Sequence, residues 1–130
     1  MIGYTMLGSN DVEASGKFYD RLFAVIGAKR LMEFQRGPVY GVALDQPMLA
    51  ICTSDDGASA FAGNGTMIAL TVPDKEAVDR LHAMALKLGG KDVMAPGYID
   101  PENPENRAFY GARFLDLDGN KLSVFCKAPA

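Results

Sequence analysis

A chain of 130 residues, 48% of them apolar, is long enough to bury one sizeable core and too short for two independent ones. Thirteen basic residues against sixteen acidic ones leave a formal charge of −3 with no basic block, so nucleic acid and anionic membrane surfaces are not expected partners. No apolar run approaches the length that spans a bilayer, and a soluble globular domain is expected.

Residues 2–9 read as a strand. Asn10-Asp11-Val12-Glu13 then places an N-cap residue three positions before an acid, the usual opening of a helix. Val12, Ser15, Phe18, Tyr19, Leu22, Val25 and Ile26 keep helical spacing, and Gly27 is the expected stop. Three short strands follow at 29–35, 38–44 and 47–53, with turns at Arg36-Gly37 and Asp45-Gln46, so an antiparallel meander is expected. Residues 54–65, rich in Gly, Ser, Ala and Asp, carry no period and read as a linker.

The same order then recurs: a strand at 66–72, a helix at 74–88 stopped by Gly89-Gly90, and strands at 91–95, 108–115 and 120–127. A shift of 63 residues lays Leu7 on Leu70, Asp11 on Asp74, Glu13 on Glu76, Lys17 on Arg80 and Gly27 on Gly90. The chain therefore reads as one domain built from two copies of a unit, about 1–53 and about 66–127, joined by the linker. The start Met1-Ile2-Gly3-Tyr4 lacks the pattern of an export signal, and Cys52 and Cys126 sit in apolar runs as buried thiols, so the cytoplasm is the expected location. A bridge between the two cysteines stays open.

The opening LGSNDVEASGKFYD, residues 7–20, resembles the first module of the vicinal oxygen chelate superfamily, which includes glyoxalase I, bleomycin-resistance proteins and extradiol dioxygenases. The stretch FYGARFLDLDGNKL, residues 109–122, is similar to that family's closing hairpin, and the resemblance covers the whole chain. Asp116 and Asp118 have their own reading as turn chemistry around Asp118-Gly119. The resemblance implies an α+β fold of two tandem βαβββ modules whose curved mixed sheets surround a cavity. Members that use metal draw His, Gln or Glu from the first and last strand of each module, and those positions fall here on Tyr4, Ala50, Met67 and Ser123. Alanine and methionine offer no donor suited to a divalent first-row ion, so no metal and no other cofactor is expected. His82, the single histidine, falls within the second helix and reads as a surface or packing residue.

On this reading the function is that of a small-molecule-binding protein of the glyoxalase and bleomycin-resistance type, without the usual ligands. The alternative is a lyase or isomerase of glyoxalase type, or a dioxygenase-like enzyme, with a remodelled metal site or metal-free acid–base chemistry at Tyr4. Tyr4, Met6, Met67 and Ser123 are the expected cavity wall, Tyr4 for its ring and hydroxyl and Met67 for its adaptable shape. Arg113 interrupts an apolar strand and faces a pocket, a partner or solvent, an anion contact being one reading and a wet sheet face the other. Tyr98 and Tyr110 flank an irregular loop at 99–106 and join the candidate ligand contacts. The expected partners are a small organic molecule and a second copy of the chain, by analogy with the family.

Overall fold

The computed structural model describes residues 1–103, 105 and 108–128. Positions 104 and 106 of the expected 99–106 loop lie outside the described residues. Ten elements follow in the order β1 (Tyr4–Gly8), α1 (Val12–Ala24), β2 (Lys29–Phe34), β3 (Gly37–Gly41), β4 (Met48–Cys52), β5 (Ile68–Thr71), α2 (Lys75–Lys87), β6 (Lys91–Tyr98), β7 (Phe109–Leu115) and β8 (Lys121–Lys127). They make two four-stranded mixed sheets, ordered β1-β4-β3-β2 and β5-β8-β7-β6. The first and last strands of each module run parallel, β1 beside β4 and β5 beside β8, and the other pairs are antiparallel. These are the two βαβββ modules of the sequence reading, although the sheets do not close on each other within the chain. No strand of one sheet packs beside a strand of the other among the described residues.

Two local differences from the sequence reading have physical causes. Asp11, and not Asn10, caps α1, its carboxylate accepting from the backbone N–H of Ala14 at 3.0 Å. Asn10 is engaged elsewhere, accepting from Ala60 N–H at 2.7 Å and donating to Ala60 C=O at 2.8 Å, which fastens the linker to the end of β1. Asp74 caps α2 in the same way as Asp11, at 2.8 Å from Ala77 N–H. Strand β6 runs through Pro96 to Tyr98 because it is an edge strand and the proline falls in a bulged stretch between Met94 and Gly97, where a missing N–H costs nothing. At the β2–β3 turn Gly37 has φ +153°, and a Cβ there would lie 1.9 Å from the Ile51 carbonyl oxygen, so no other residue fits.

Both helices bury one stripe. Phe18, Tyr19, Leu22 and Phe23 of α1 lie with Tyr40, Leu49 and Ile51, and Val78, Leu81 and Ala85 of α2 lie with Phe114, Leu122 and Val124. The helices also touch each other, so the helix-side faces of both sheets merge into one core, and the opposite faces point away from it. At the junction Asp116, 4% exposed, accepts from Tyr19 Oη at 2.7 Å, from the N–H of Asp118 and of Asn120 at 2.9 Å each, and from Asn120 Nδ2 at 3.0 Å. Asn120 Nδ2 also donates to Gly8 C=O at 3.0 Å, and Asp118 Oδ1 accepts from Asn10 N–H at 2.9 Å. The turn role read for Asp116 and Asp118 is thus present, and the same turn binds the two modules together. Burial, followed by the neighbouring Asp116 charge and hydrogen bond, pushes the Tyr19 phenol well up.

Two changes test these contacts. Tyr19→Phe removes one of four donors from a buried carboxylate and is expected to lower stability by about 1–3 kcal/mol, measured as the shift in urea midpoint. On the outer side of α1, burial opposes the charge of Asp20, yet hydrogen bonds from Arg30 and Tyr40 outweigh it and hold the carboxyl below its usual value. A folded pKa below the unfolded one stabilises the protein above the unfolded value, and that contribution drains away as pH falls through the folded value. Urea midpoints at neutral and acid pH are therefore expected to diverge less in Asp20→Asn than in the parent protein.

Candidate functional site

Alternation along the strands decides what the outer face of the first sheet carries. Leu7, Leu49, Ile51 and Tyr40 go to the core, which turns Tyr4, Met6, Met32, Phe34, Val39, Met48, Ala50 and Cys52 outward. Across the four strands Met6, Ala50, Val39 and Met32 form one ladder row. Ala50 contributes only a methyl to that row, and the longer side chains around it stand up as walls. The result is a hollow of about 520 Å³, bounded on one side by Arg36. Tyr4 is 65% exposed, Met6 44% and Phe34 64%, a large apolar exposure to be concentrated on one sheet face.

Arg36 is already engaged at the rim: it donates to Thr53 C=O at 3.0 Å, pairs with Asp55 and reaches Met6 Sδ at 3.9 Å. Burial raises the Cys52 thiol, an effect that Arg36 opposes and Asp55 reinforces. Cys52 and Cys126 are both free thiols. A second hollow of about 570 Å³ lies between the modules, where Met67, Ile68 and Leu70 face Ile2 and Met48. Met48 lines both hollows.

The outer face of the second sheet has a different chemistry. There Ala69, Ser123, Arg113 and Met94 make one ladder row. Ser123 is 2% exposed, and the Nε of Arg113 is buried with no hydrogen-bond partner. No described residue forms an ion pair with Arg113. Lys121 precedes Ser123 by two residues, and Lys91 pairs with Leu115 two residues after Arg113, so both lysines share that face. The single acid in β5 to β8, Asp92, pairs with the helix-facing Phe114 and bonds His82 Nε2 at 2.8 Å. His82 is a buried packing residue of α2, on the opposite side of the sheet from Arg113.

Tyr98 and Tyr110 also stand on the helix side. Their rings meet edge to face at 5.5 Å, Lys75 Nζ lies 4.7 and 5.3 Å from the two centroids, and Tyr110 Oη donates to Asp79 at 2.8 Å. That hydrogen bond, ahead of burial, lifts the Tyr110 phenol to about 12. The structure therefore brings Tyr4 and Met6 together around Ala50 and sets Ser123 beside Arg113. It places Met67 at the cleft between modules and Tyr98 with Tyr110 against α2. Met32, Phe34, Arg36 and Met48 were missed from sequence; the alternation in KRLMEF and MLAIC was the available signal.

Of the four positions that the resemblance assigns to metal, Tyr4 keeps an oxygen and the other three do not fit a divalent ion. Ala50 presents a methyl, Met67 a thioether just ahead of β5, and Ser123 a single neutral hydroxyl whose ladder neighbour is the cationic Arg113. Among the described residues no three His, Cys, Asp or Glu side chains cluster as a metal site. Elemental analysis of protein purified without added metal is expected to give zinc, nickel, iron and manganese far below one equivalent per chain; a stoichiometric metal would contradict this.

The sequence matches no family model and no curated protein. Its fold is shared with solved structures along almost its whole length. A glyoxalase/bleomycin resistance protein from Albidiferax ferrireducens superposes with a TM-score of 0.83 at 29% identity, over 97% of this chain and 98% of that one. A hypothetical protein from S. aureus gives 0.67 at 25% identity, over 97% and 92%. A glyoxalase/bleomycin resistance protein/dioxygenase family enzyme from Burkholderia phytofirmans gives 0.71 at 21% identity, over 96% and 97%, a likeness of fold alone.

Proposed function

The chain has the fold of the vicinal oxygen chelate superfamily, and from that premise we propose that it binds a small, apolar and partly aromatic organic molecule on the outer face of its first sheet. The observation that carries the reading is the hollow around Ala50, where Tyr4, Met6 and Phe34 hold apolar surface out of the core. In a domain with a complete core of its own, exposure of this kind on one face marks a binding surface. The volume of about 520 Å³ suits a molecule of one or two rings. Thioethers and aromatic rings grip such a body through contact area, with few directional demands.

A second copy of the chain completes the site. Among the described residues the linker meets the outer face of the first sheet at Gly8 and leaves Tyr4, Met6 and Phe34 exposed, a surface that a two-fold partner would cover with its second sheet. Binding is favoured over turnover because the Tyr4 hydroxyl has no hydrogen-bond partner among the described residues, so no neighbour is placed to activate it as an acid or base. The two free thiols support a reducing, cytoplasmic setting.

The neutral fluorescent probe N-phenylnaphthylamine tests the reading. It is expected to bind saturably, and Phe34→Ser and Tyr4→Ser are each expected to weaken it about tenfold through lost apolar contact. Because both side chains are exposed in the single chain, their loss leaves the monomer's fold intact. Sedimentation at micromolar concentration is expected to show a dimer. Absence of saturable probe binding would overturn the binding reading, and a monomer at all concentrations would overturn the paired site.

A further inference from the structure

We infer that the molecule bound is an anion, its acidic group held by Arg113 and Ser123 on the outer face of the second sheet. The inference rests on the binding reading above and adds the chemical class of the ligand. Its first support is the state of Arg113. A guanidinium carries five donors and stays charged at any physiological pH, and in the half-buried Arg113 the buried Nε has no hydrogen-bond partner, which leaves donor capacity for an incoming oxygen. None of the described residues supplies that partner.

The second support is the composition of the whole face. Arg113, Lys121 and Lys91 share it, and the single acid of the four strands is on the other side, tied to His82. Within the four strands, therefore, no carboxylate shares the face of Arg113. The third support is Ser123, the ladder neighbour of Arg113, whose hydroxyl can donate to the same oxygen or to its twin. A planar guanidinium fork beside a hydroxyl matches a carboxylate, a sulfonate or a phosphate monoester.

The two outer faces are thus complementary halves of one recognition problem. The first sheet offers thioethers, rings and a methyl floor, with its rim arginine already paired to Asp55. The second offers unpaired positive charge. A molecule with an apolar body and one acidic group satisfies both when the faces of two copies meet.

Two probes with the same ring system separate charge from body: anilinonaphthalene sulfonate carries an acidic group and N-phenylnaphthylamine does not. With the intact protein at low salt, the sulfonate is expected to bind about tenfold or more tightly than the neutral dye, the scale of one charge-assisted contact. Arg113→Gln is expected to bring that ratio close to one, while Arg113→Lys, which keeps charge and loses the fork, retains part of it. Near-ultraviolet circular dichroism checks that the variants keep their packing. A ratio near one in the parent protein, or a ratio unchanged in Arg113→Gln, overturns the anion assignment while leaving the apolar site standing. Failure of the parent protein to bind either dye overturns the binding reading itself and the anion assignment with it.

Discussion

A single buried carboxylate governs how the two halves of this chain meet. Asp116 sits at the turn between β7 and β8, and it collects its donors from that turn and from Tyr19 on the helix of the other module. Removed from water, it is tolerable only because its oxygens are so fully engaged. Asn120 passes the connection on to the Gly8 carbonyl, and Asp118 to the Asn10 amide. The helix-side faces are thereby fixed together and the outer faces fixed apart.

That geometry explains why the interesting surface lies outside the core. A fold whose two sheets buried both faces within one chain would hide Tyr4, Met6 and Phe34. Here the core is completed by the helices, and the outer faces are left to do something else. The two modules share a frame and differ in chemistry. Asp11 and Asp74 cap the helices identically, while one outer face has become neutral and apolar and the other cationic. At the positions that the resemblance assigns to metal donors, Ala50 offers a methyl and Met67 a thioether, and Ser123 has Arg113 as its ladder neighbour.

The fold was legible because it rests on periodicity and punctuation. Apolar spacing in α1 and α2, glycine stops at Gly27 and Gly89-Gly90 and the offset between the copies are all local signals. The errors were of a kind local signals produce. Asn10 outranks Asp11 as a cap only until the linker is known to bind its side chain, and Pro96 ends a strand only if that strand needs its N–H. The site was half legible. Tyr4, Met6 and Ala50 follow from strand parity once β1 is set beside β4, whereas Met32 and Phe34 enter only through the register of a sheet four strands wide. Tyr98 and Tyr110 looked like cavity residues beside a loop, yet parity with the buried Ala112 and Phe114 turns Tyr110 toward α2, and its ladder partner Tyr98 goes with it. That Arg113 lacks a partner could not be read from sequence at all, since it depends on which face Asp92 takes.

The central claim is that the outer faces of the sheets, and not the core or the surface of the helices, take the ligand. Methyl-labelled methionine resonances report on it directly, because the seven methionines are spread over both faces and the core. On titration with anilinonaphthalene sulfonate, the methyls of Met6, Met32 and Met48 on the first sheet and Met94 beside Arg113 are predicted to move together along one saturation curve, with Met84 of α2 unmoved. Movement of Met84 with the three first-sheet methyls stationary would contradict the account.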